Sequence, residues 1–233
     1  FRSRDCGLVT REQMEHWGIE EEVLFQDAWA NMFAKRPPLL MDFEDAYGHH
    51  YDQNILSMEK KPERIWRTDA DFYVLTNNMD HGAVYMMDEA TLQKSAEKLD
   101  ANLIVLPASI HEVYLMVERE GLDMERLRNG VYGANRAFPE ADYLSDEIYR
   151  YDRDTHRMSV ILEFVQKDPR SNNLVAKARG MIWNNIYRLL KPYFEETTGQ
   201  LFTSGIKVLV KVTVQFHELY GYSLTVLDRK SVV

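Results

Sequence analysis

The chain has little of several features, and each shortage excludes a class of protein. Cys6 is the single cysteine in 233 residues, so no internal disulfide and no cysteine-rich metal cluster can form. No apolar run approaches the roughly 20 residues that span a bilayer. The first residues also lack the apolar core of a secretion signal. These absences predict a cytoplasmic protein with no membrane segment.

Motifs that carry catalysis are missing as well. Phosphate-binding glycine loops, Gly-x-Ser-x-Gly elbows, His-Glu-x-x-His helices and Cys-x-x-Cys knuckles do not occur. His49 and His50 precede Asp52, but adjacent histidines point in different directions on a helix or a strand and seldom share a metal ion. The sequence therefore predicts no catalytic residues, no metal ligands and no cofactor. An enzyme would need a cleft that gathers acids around His111 or His49.

Charge is unevenly distributed along the chain. The net charge is -9, and 45% hydrophobic residues are enough to fill ordinary cores. Residues 1–155 carry a net charge of -14, whereas residues 156–233 hold 11 Lys and Arg against 6 Asp and Glu, a net charge of +5. The change of sign predicts two domains, 1–155 and 156–233. The acidic domain repels nucleic acid, and the basic domain can neutralise phosphates.

The acidic part has the pattern of a mixed α+β domain. Apolar residues at helical spacing predict a helix over 11–36. The next predicted elements are a hairpin of strands 72–76 and 83–87, a helix from Asp88 to Leu99, a strand over 102–107, and a helix that begins in a capping box at Ser109–Glu112.

The basic part predicts a different fold. Strands over 160–167 and 174–183 precede a helix over 184–197, and a hairpin fills 205–228. An OB-fold is a five-stranded Greek-key barrel in which a helix lies between the third and fourth strands. The predicted helix over 184–197 has this position if 174–183 is the third strand. We therefore expect a truncated OB-fold that lacks its usual first strand. The overall class is α+β.

The same residues resemble a known family. The matching strings are LEFVQKDPRSN at 162–172, AKAR at 176–179, LKPYFE at 190–195, GIKVL at 205–209 and FHELYG at 216–221. In this order they resemble the amino-terminal nucleic-acid-binding domain of the exodeoxyribonuclease VII large subunit, over residues 158–228. The resemblance implies single-stranded DNA binding without the nuclease region. It also implies a nuclease small subunit as a partner.

Alternation along the second and third barrel strands identifies the expected binding residues. Small side chains of 174–183 suit the interior of a narrow barrel, so the basic and aromatic residues must face outward. The predicted nucleic-acid-binding residues are Lys167, Arg170, Lys177, Arg179 and Trp183. Two alternatives stay open: the cations are ordinary solvated charges, and Trp183 is part of the core. Tyr222 shares its parity with Leu224 and Val226, which favours burial.

Residues 15–155 have a resemblance of their own. It rests on the hairpin, helix and strand order and on the strings LPASIHE at 106–112 and LSDEIYRYDR at 144–153. These resemble an uncharacterised bacterial family, a domain of unknown function found in Firmicutes. The resemblance implies a fold and no chemistry.

The two resemblances meet near Met158, and each is truncated where it should continue. One hypothesis is a natural fusion in which the basic part binds single strands. The other is a structural or interaction protein, or a chimeric, non-functional join of two truncated domains. A barrel without its first strand would leave its edges unpaired.

Overall fold

The protein has a mixed α+β fold organised on a nine-stranded, mostly antiparallel sheet, which confirms the predicted class. The computed structural model describes residues 8–47, 72–77, 80–217, 221–228 and 230. The strands are β1 Leu39–Asp42, β2 Tyr73–Thr76, β3 Leu103–Ser109, β4 Glu112–Val117, β5 Tyr149–Asp152, β6 Arg157–Lys167, β7 Leu174–Trp183, β8 Val212–His217 and β9 Gly221–Val226. The helices are α1 Arg11–Trp17, α2 Glu21–Lys35, α3 Phe43–Tyr47, α4 Glu89–Leu99, α5 Met124–Asn135, α6 Asn184–Thr198 and a 3₁₀ helix, Gly82–Met87.

The chain forms two compact units, divided after Pro38. The first contains α1 and α2, where the sequence predicts one helix over 11–36. Thr10 and Gln13 form a capping box that starts α1, and Gly18 ends it with a φ of 66°. No helix in the described part of the chain is both long and apolar enough to cross a membrane.

The second unit contains the sheet, whose strand order is β1-β2-β4-β3-β5-β6-β7-β9-β8. Every neighbouring pair is antiparallel except β7 with β9, which run parallel. Since α6 and the chain after it connect β7 to β8, the final hairpin returns to the sheet with β9 beside β7.

Residues 149–152 form a strand that the sequence did not predict. Tyr149–Asp152 pair with Val160–Arg157, and the Ile161 N–H donates to the Ile148 carbonyl at 2.8 Å. The start of β6, where the sequence predicts an unpaired edge, is therefore paired with β5. The predicted division near residue 155 falls in the turn between β5 and β6.

One face of β6, β7 and β9 packs against α6. Its buried core consists of Val160, Ile182, Tyr187, Leu190, Phe194 and Val226, which agrees with the face predicted to point inward. Gly180 lies in this face where the Phe164 ring crosses β7. A Cβ at position 180 would lie 2.3 Å from Phe164 Cε2, so the close approach requires glycine.

Two elements of the acidic part differ from the prediction. Residues 83–87 lie in the 3₁₀ helix and are not a strand, and Ser109–Glu112 form the turn between β3 and β4 and not a helix start. The amides of Gly82 and Ala83 donate to the carbonyls of His111 and Ile110, so these two segments hold each other in place. Short apolar runs fit either structure, and the long-range contact decides between them.

Candidate functional site

Some of the residues predicted to bind nucleic acid form ion pairs within the protein, and others are exposed to solvent. Arg179 donates to Glu118 Oε1 at 2.9 Å, and the Glu118 side chain is 1% exposed. Lys177 lies 2.8 Å from Glu163 Oε1, and this hydrogen bond raises the pKa of Lys177. Both cations are thus paired with acids of the protein.

Glu118 also binds Arg150, which completes a buried charge network. The Arg150 Nε contacts both carboxylate oxygens of Glu118, at 3.0 and 2.8 Å, and its Nη1 donates to Asp152 at 2.7 Å. Burial opposes ionisation of Asp152, but hydrogen bonds from Arg150 and Thr155 outweigh it and lower the pKa of that carboxyl. The network holds the sheet together and offers few free donors to a phosphate.

Trp183 is covered on one face by a cation of the same chain. The Arg157 guanidinium lies over the Trp183 ring, 4.1 Å from its centroid. The Trp183 side chain is half-buried. A cation in this position stabilises the ring and occupies the surface on which a base would stack.

Lys167 and Arg170 are exposed at the far end of the β6–β7 hairpin. Asp168 shapes the turn there by accepting from the amides of Arg170 and Ser171, at 2.8 and 2.7 Å. The amides of Ser171 and Arg170 lower the pKa of Asp168. Within the described residues neither Lys167 nor Arg170 makes an ion pair, so both are accessible to phosphates.

An exposed aromatic pair lies on the final hairpin, and sequence reasoning missed it. Phe216 and Tyr222 face each other across β8 and β9, with ring centroids 5.3 Å apart. They are 66% and 68% exposed, so the predicted burial of Tyr222 is wrong. Parity correctly puts Tyr222 on the face of Val226, but α6 covers this face only at the Val226 end. The sequence signal that could have indicated this pair is the presence of two aromatic residues on either side of a hairpin turn.

The register places the aromatic pair and the exposed cations at one end of the sheet. Tyr222 is level with Ala178 because Arg179 pairs with Ser223 in the parallel β7–β9 ladder. Lys167 pairs with Leu174, which lies four residues before Ala178 in β7, so these two β7 positions are separated by about 13 Å along the strand at its usual rise.

A second cluster lies in the acidic part, where three loops meet. His81 Nδ1 donates to Asp80 Oδ1 at 2.7 Å, and the His81 backbone N–H donates to His111 Nδ1 at 3.1 Å. His111 Nε2 lies 3.5 Å from Asp142 Oδ1. One ligand atom each from Asp80, His81 and His111 lie within 4.8 Å of one another. Two carboxylates, those of Asp80 and Asp142, therefore lie beside His81 and His111.

Backbone hydrogen bonds hold the three loops of this cluster in place. The Thr76 hydroxyl and the Gly82 N–H both donate to the His111 carbonyl, at 2.8 and 3.0 Å. The Ile110 N–H donates to the Asp142 carbonyl at 2.9 Å. The side chains of the cluster therefore project from a fixed backbone.

Two tyrosines share a buried carboxylate on the other side of the β3–β4 turn. The hydroxyls of Tyr47 and Tyr114 donate to Glu112 Oε1 at 2.5 and 2.9 Å, and lie 2.8 Å apart. Burial and the Glu112 charge raise the pKa of Tyr114 to about 12, and burial with the Glu112 hydrogen bond raises the pKa of Tyr47 further. Both hydroxyls therefore stay protonated near neutral pH. They can donate hydrogen bonds but cannot act as general bases there.

Tyr114 also borders a cleft of about 910 Å³ between the sheet and α5. Its walls are mainly apolar and include Leu106, Leu127 and Val131. Asn135 lines the cleft but donates its amide to the Ser145 carbonyl at 2.9 Å. Since Tyr114 and Asn135 both point their donors at protein acceptors, we assign no ligand to this cleft.

Comparison with known proteins finds one family. A model described as "Family of unknown function (DUF5688)" matches residues 3–153, which confirms the predicted resemblance of residues 15–155 to an uncharacterised family. No curated protein and no solved structure matches the chain. The histidine cluster lies within the matched residues, and the Phe216–Tyr222 pair lies outside them. Because the match covers more than half of the chain, the protein belongs to this family of unknown function.

Proposed function

We propose that the β5–β9 part of the sheet binds single-stranded nucleic acid without strong sequence preference. The order of its elements supports this function: three antiparallel strands, a helix, and a hairpin whose last strand runs parallel to the third. This order suits the OB-fold that the resemblance to the exodeoxyribonuclease VII large subunit implies. A cytoplasmic location accords with the function and stays a prediction.

The observation that carries the proposal is the exposure of Phe216 and Tyr222 at the same end of the sheet as Lys167 and Arg170. Proteins that bind single strands stack bases on aromatic rings and contact phosphates with cations. Stacking suits every base because each has a π-face, which explains the expected tolerance of sequence.

The structure changes the expected roles of the other predicted residues. Lys177 and Arg179 are paired with Glu163 and Glu118, so we leave them out of the proposed binding set. The binding set is therefore Lys167 and Arg170 for phosphates and the aromatic pair for bases. A set this small implies weak affinity with a modest dependence on salt.

Fluorescence anisotropy of a labelled oligothymidylate, titrated with the full chain at several salt concentrations, tests the proposal. Each neutralised phosphate on a single strand contributes about -0.7 to the log–log salt slope. Lys167→Gln and Arg170→Gln should each flatten the slope by about that amount. Lys94→Gln, which removes an exposed cation on α4, is the matched control and should leave the slope unchanged.

The aromatic pair has its own test. Phe216→Ala and Tyr222→Ala should each weaken binding by about 1 kcal/mol or more, the loss of one stacked base. Leu189→Ala, which removes a side chain 58% exposed on α6, is the control for lost apolar surface. All three positions are exposed, so the variants should fold. Absence of binding at low salt, or equal binding by all three, contradicts the proposal.

A second function has support from the edge of the sheet. β8 is the last strand in the sheet order, and its Val214 is 62% exposed next to Phe216. An edge strand with apolar side chains is a template for pairing with another chain, and the nuclease small subunit implied by the resemblance is one candidate. If the edge instead joins two copies, light scattering should show a dimer that Val214→Lys dissociates. A monomer at all concentrations would exclude pairing of the edge between two copies.

A further inference from the structure

We propose that Asp80, His81 and His111 bind a divalent transition metal ion of the zinc type, with Asp142 as a further carboxylate ligand. The three residues each offer one ligand atom, and these atoms lie within 4.8 Å of one another. Asp80 and His81 are neighbours in the loop before the 3₁₀ helix, and His111 lies in the β3–β4 turn, so the fold brings two distant segments together.

The donor set suits such an ion. Imidazole and carboxylate ligands are typical of zinc and of iron or nickel, whereas magnesium and calcium prefer oxygen ligands alone. Two ligands that share a tetrahedral zinc ion at about 2.0–2.1 Å lie about 3.3–3.5 Å apart. His111 Nε2 and Asp142 Oδ1 are 3.5 Å apart, longer than an ordinary hydrogen bond but suited to a shared ion.

Access and rigidity also suit a metal site. The side chains of Asp80 and His81 are 49% and 58% exposed, and those of His111 and Asp142 are both 31% exposed, so an ion can enter from solvent. The backbone beneath them is fixed, because a Cβ at Gly82 would lie 2.5 Å from the Asn77 nitrogen. The ligand atoms of Asp80, His81 and His111 lie within 4.8 Å of one another, so side-chain rotation must bring them closer before they share one ion.

His81 is held in an unusual backbone conformation at the centre of the cluster. Its φ of 60° lies in the left-handed region, which is uncommon for a residue other than glycine. This conformation directs the backbone N–H of His81 toward His111 Nδ1 while its own ring contacts Asp80. Strained positions of this kind concentrate at functional sites.

The hydrogen bonds show what an ion would replace. The 2.7 Å contact of His81 Nδ1 with Asp80 Oδ1 holds one proton between two possible ligand atoms. Coordination by His111 Nδ1 displaces the His81 backbone N–H directly, and coordination by Nε2 requires a proton on Nδ1, which repels that N–H. In either case the His81 backbone hydrogen bond to His111 is lost when the ion binds.

Titration of the full chain with Zn²⁺ alone, followed by calorimetry, tests the site. We expect saturable binding that His81→Ala and His111→Ala each weaken at least tenfold, with a smaller loss for Asp142→Asn. His16→Ala is the matched control, since His16 is an exposed histidine on α1 outside the cluster. Co²⁺ in place of Zn²⁺ should give the visible absorption of a tetrahedral site in the native chain and in His16→Ala.

A second measurement uses the native chain and does not depend on how the variants fold. In a ¹⁵N-labelled sample the His81 amide resonance should move on Zn²⁺ addition, because its hydrogen bond to His111 Nδ1 breaks. The proposal is overturned if Zn²⁺ leaves this resonance in place. It is also overturned if both alanine variants bind Zn²⁺ as tightly as the native chain.

Discussion

The carboxylate of Glu118, at the end of β4, accepts a 2.9 Å hydrogen bond from Arg179 on β7. In the sheet order β3, β5 and β6 lie between these two strands, so the contact requires the sheet to curl toward this face. Glu118 belongs to the residues matched by the family and Arg179 does not. A buried ion pair across that boundary favours a chain whose two parts are matched to each other.

Loss of the Glu118 charge should destabilise the whole sheet. Glu118→Gln leaves two guanidinium groups beside a neutral amide, and breaking a buried pair in this way costs about 3–5 kcal/mol. Urea unfolding measures the change. Glu120→Gln, two residues away and exposed, should stay within about 0.5 kcal/mol of the native chain. Equal stabilities would show that the network carries little energy.

The contact of Gly180 with Phe164 predicts a second stability difference. Gly180→Ala would put a Cβ 2.3 Å from the Phe164 ring, and such overpacking costs about 1–3 kcal/mol. Gly133→Ala, on the exposed face of α5 with nothing within 4 Å of its Cβ, should instead stabilise the chain by up to about 1 kcal/mol. Thermal unfolding of both variants should move the midpoint in opposite directions.

The raised pKa of Tyr114 predicts a loss of stability in alkali. Its pKa is about 12 in the fold against 10.0 for an ordinary tyrosine. A group whose pKa is raised on folding contributes fully below the unfolded value, and this contribution is lost as the pH rises through the folded value. The free energy of unfolding should therefore fall between pH 10 and 12. Tyr114→Phe should show a shallower fall in the same urea titrations, and an unchanged slope would contradict the assignment.

Hydrogen exchange distinguishes a folded β5–β6 pair from two truncated domains. The Ile161 amide donates to Ile148 and should exchange slowly, whereas amides of β8, the last strand of the sheet, should exchange faster. Rapid exchange at Ile161 in the monomer would support the hypothesis of a chimeric join.

Nucleic acid should be bound and left intact. The proposed stacking and phosphate contacts at Phe216, Tyr222, Lys167 and Arg170 would supply neither a metal ion nor a general base for cleavage. End-labelled single-stranded DNA should survive incubation with the chain, with or without Mg²⁺. Degradation that His111→Ala abolishes would instead assign hydrolysis to the histidine cluster.

Several elements could be predicted because their signals are local. Alternation gave the bounds of β7, residues 174–183, without error, and it gave β6 from residue 160 where the strand begins at 157. Helix α6 begins at Asn184 as expected. The cap at Asp88 is also present, since its carboxylate accepts from the Thr91 amide at 2.8 Å. Strand β5 was missed because its four residues alternate tyrosine with charged side chains, whereas the equally short β2 was predicted from a continuous apolar run.

The candidate sites depended on contacts between distant residues. Parity placed Arg179 on the predicted face, but nothing near it in the sequence indicated Glu118, 61 residues away. His81 and His111 are separated by 30 residues and meet only because the 3₁₀ helix packs on the β3–β4 turn. The pair His49 and His50, which the sequence singles out, lies outside the described residues.

The sequence by itself determined the fold class, most strands and helices, and the side of each strand on which a residue lies, because these follow from local periodicity. Only the tertiary structure decided what covers each side of a strand. Glu118 accepts a hydrogen bond from Arg179, and α6 ends before it reaches Tyr222. The packing of the loops brings His81 to His111. Strand pairing and helix packing join residues far apart in the chain, and no local pattern encodes which residues will meet.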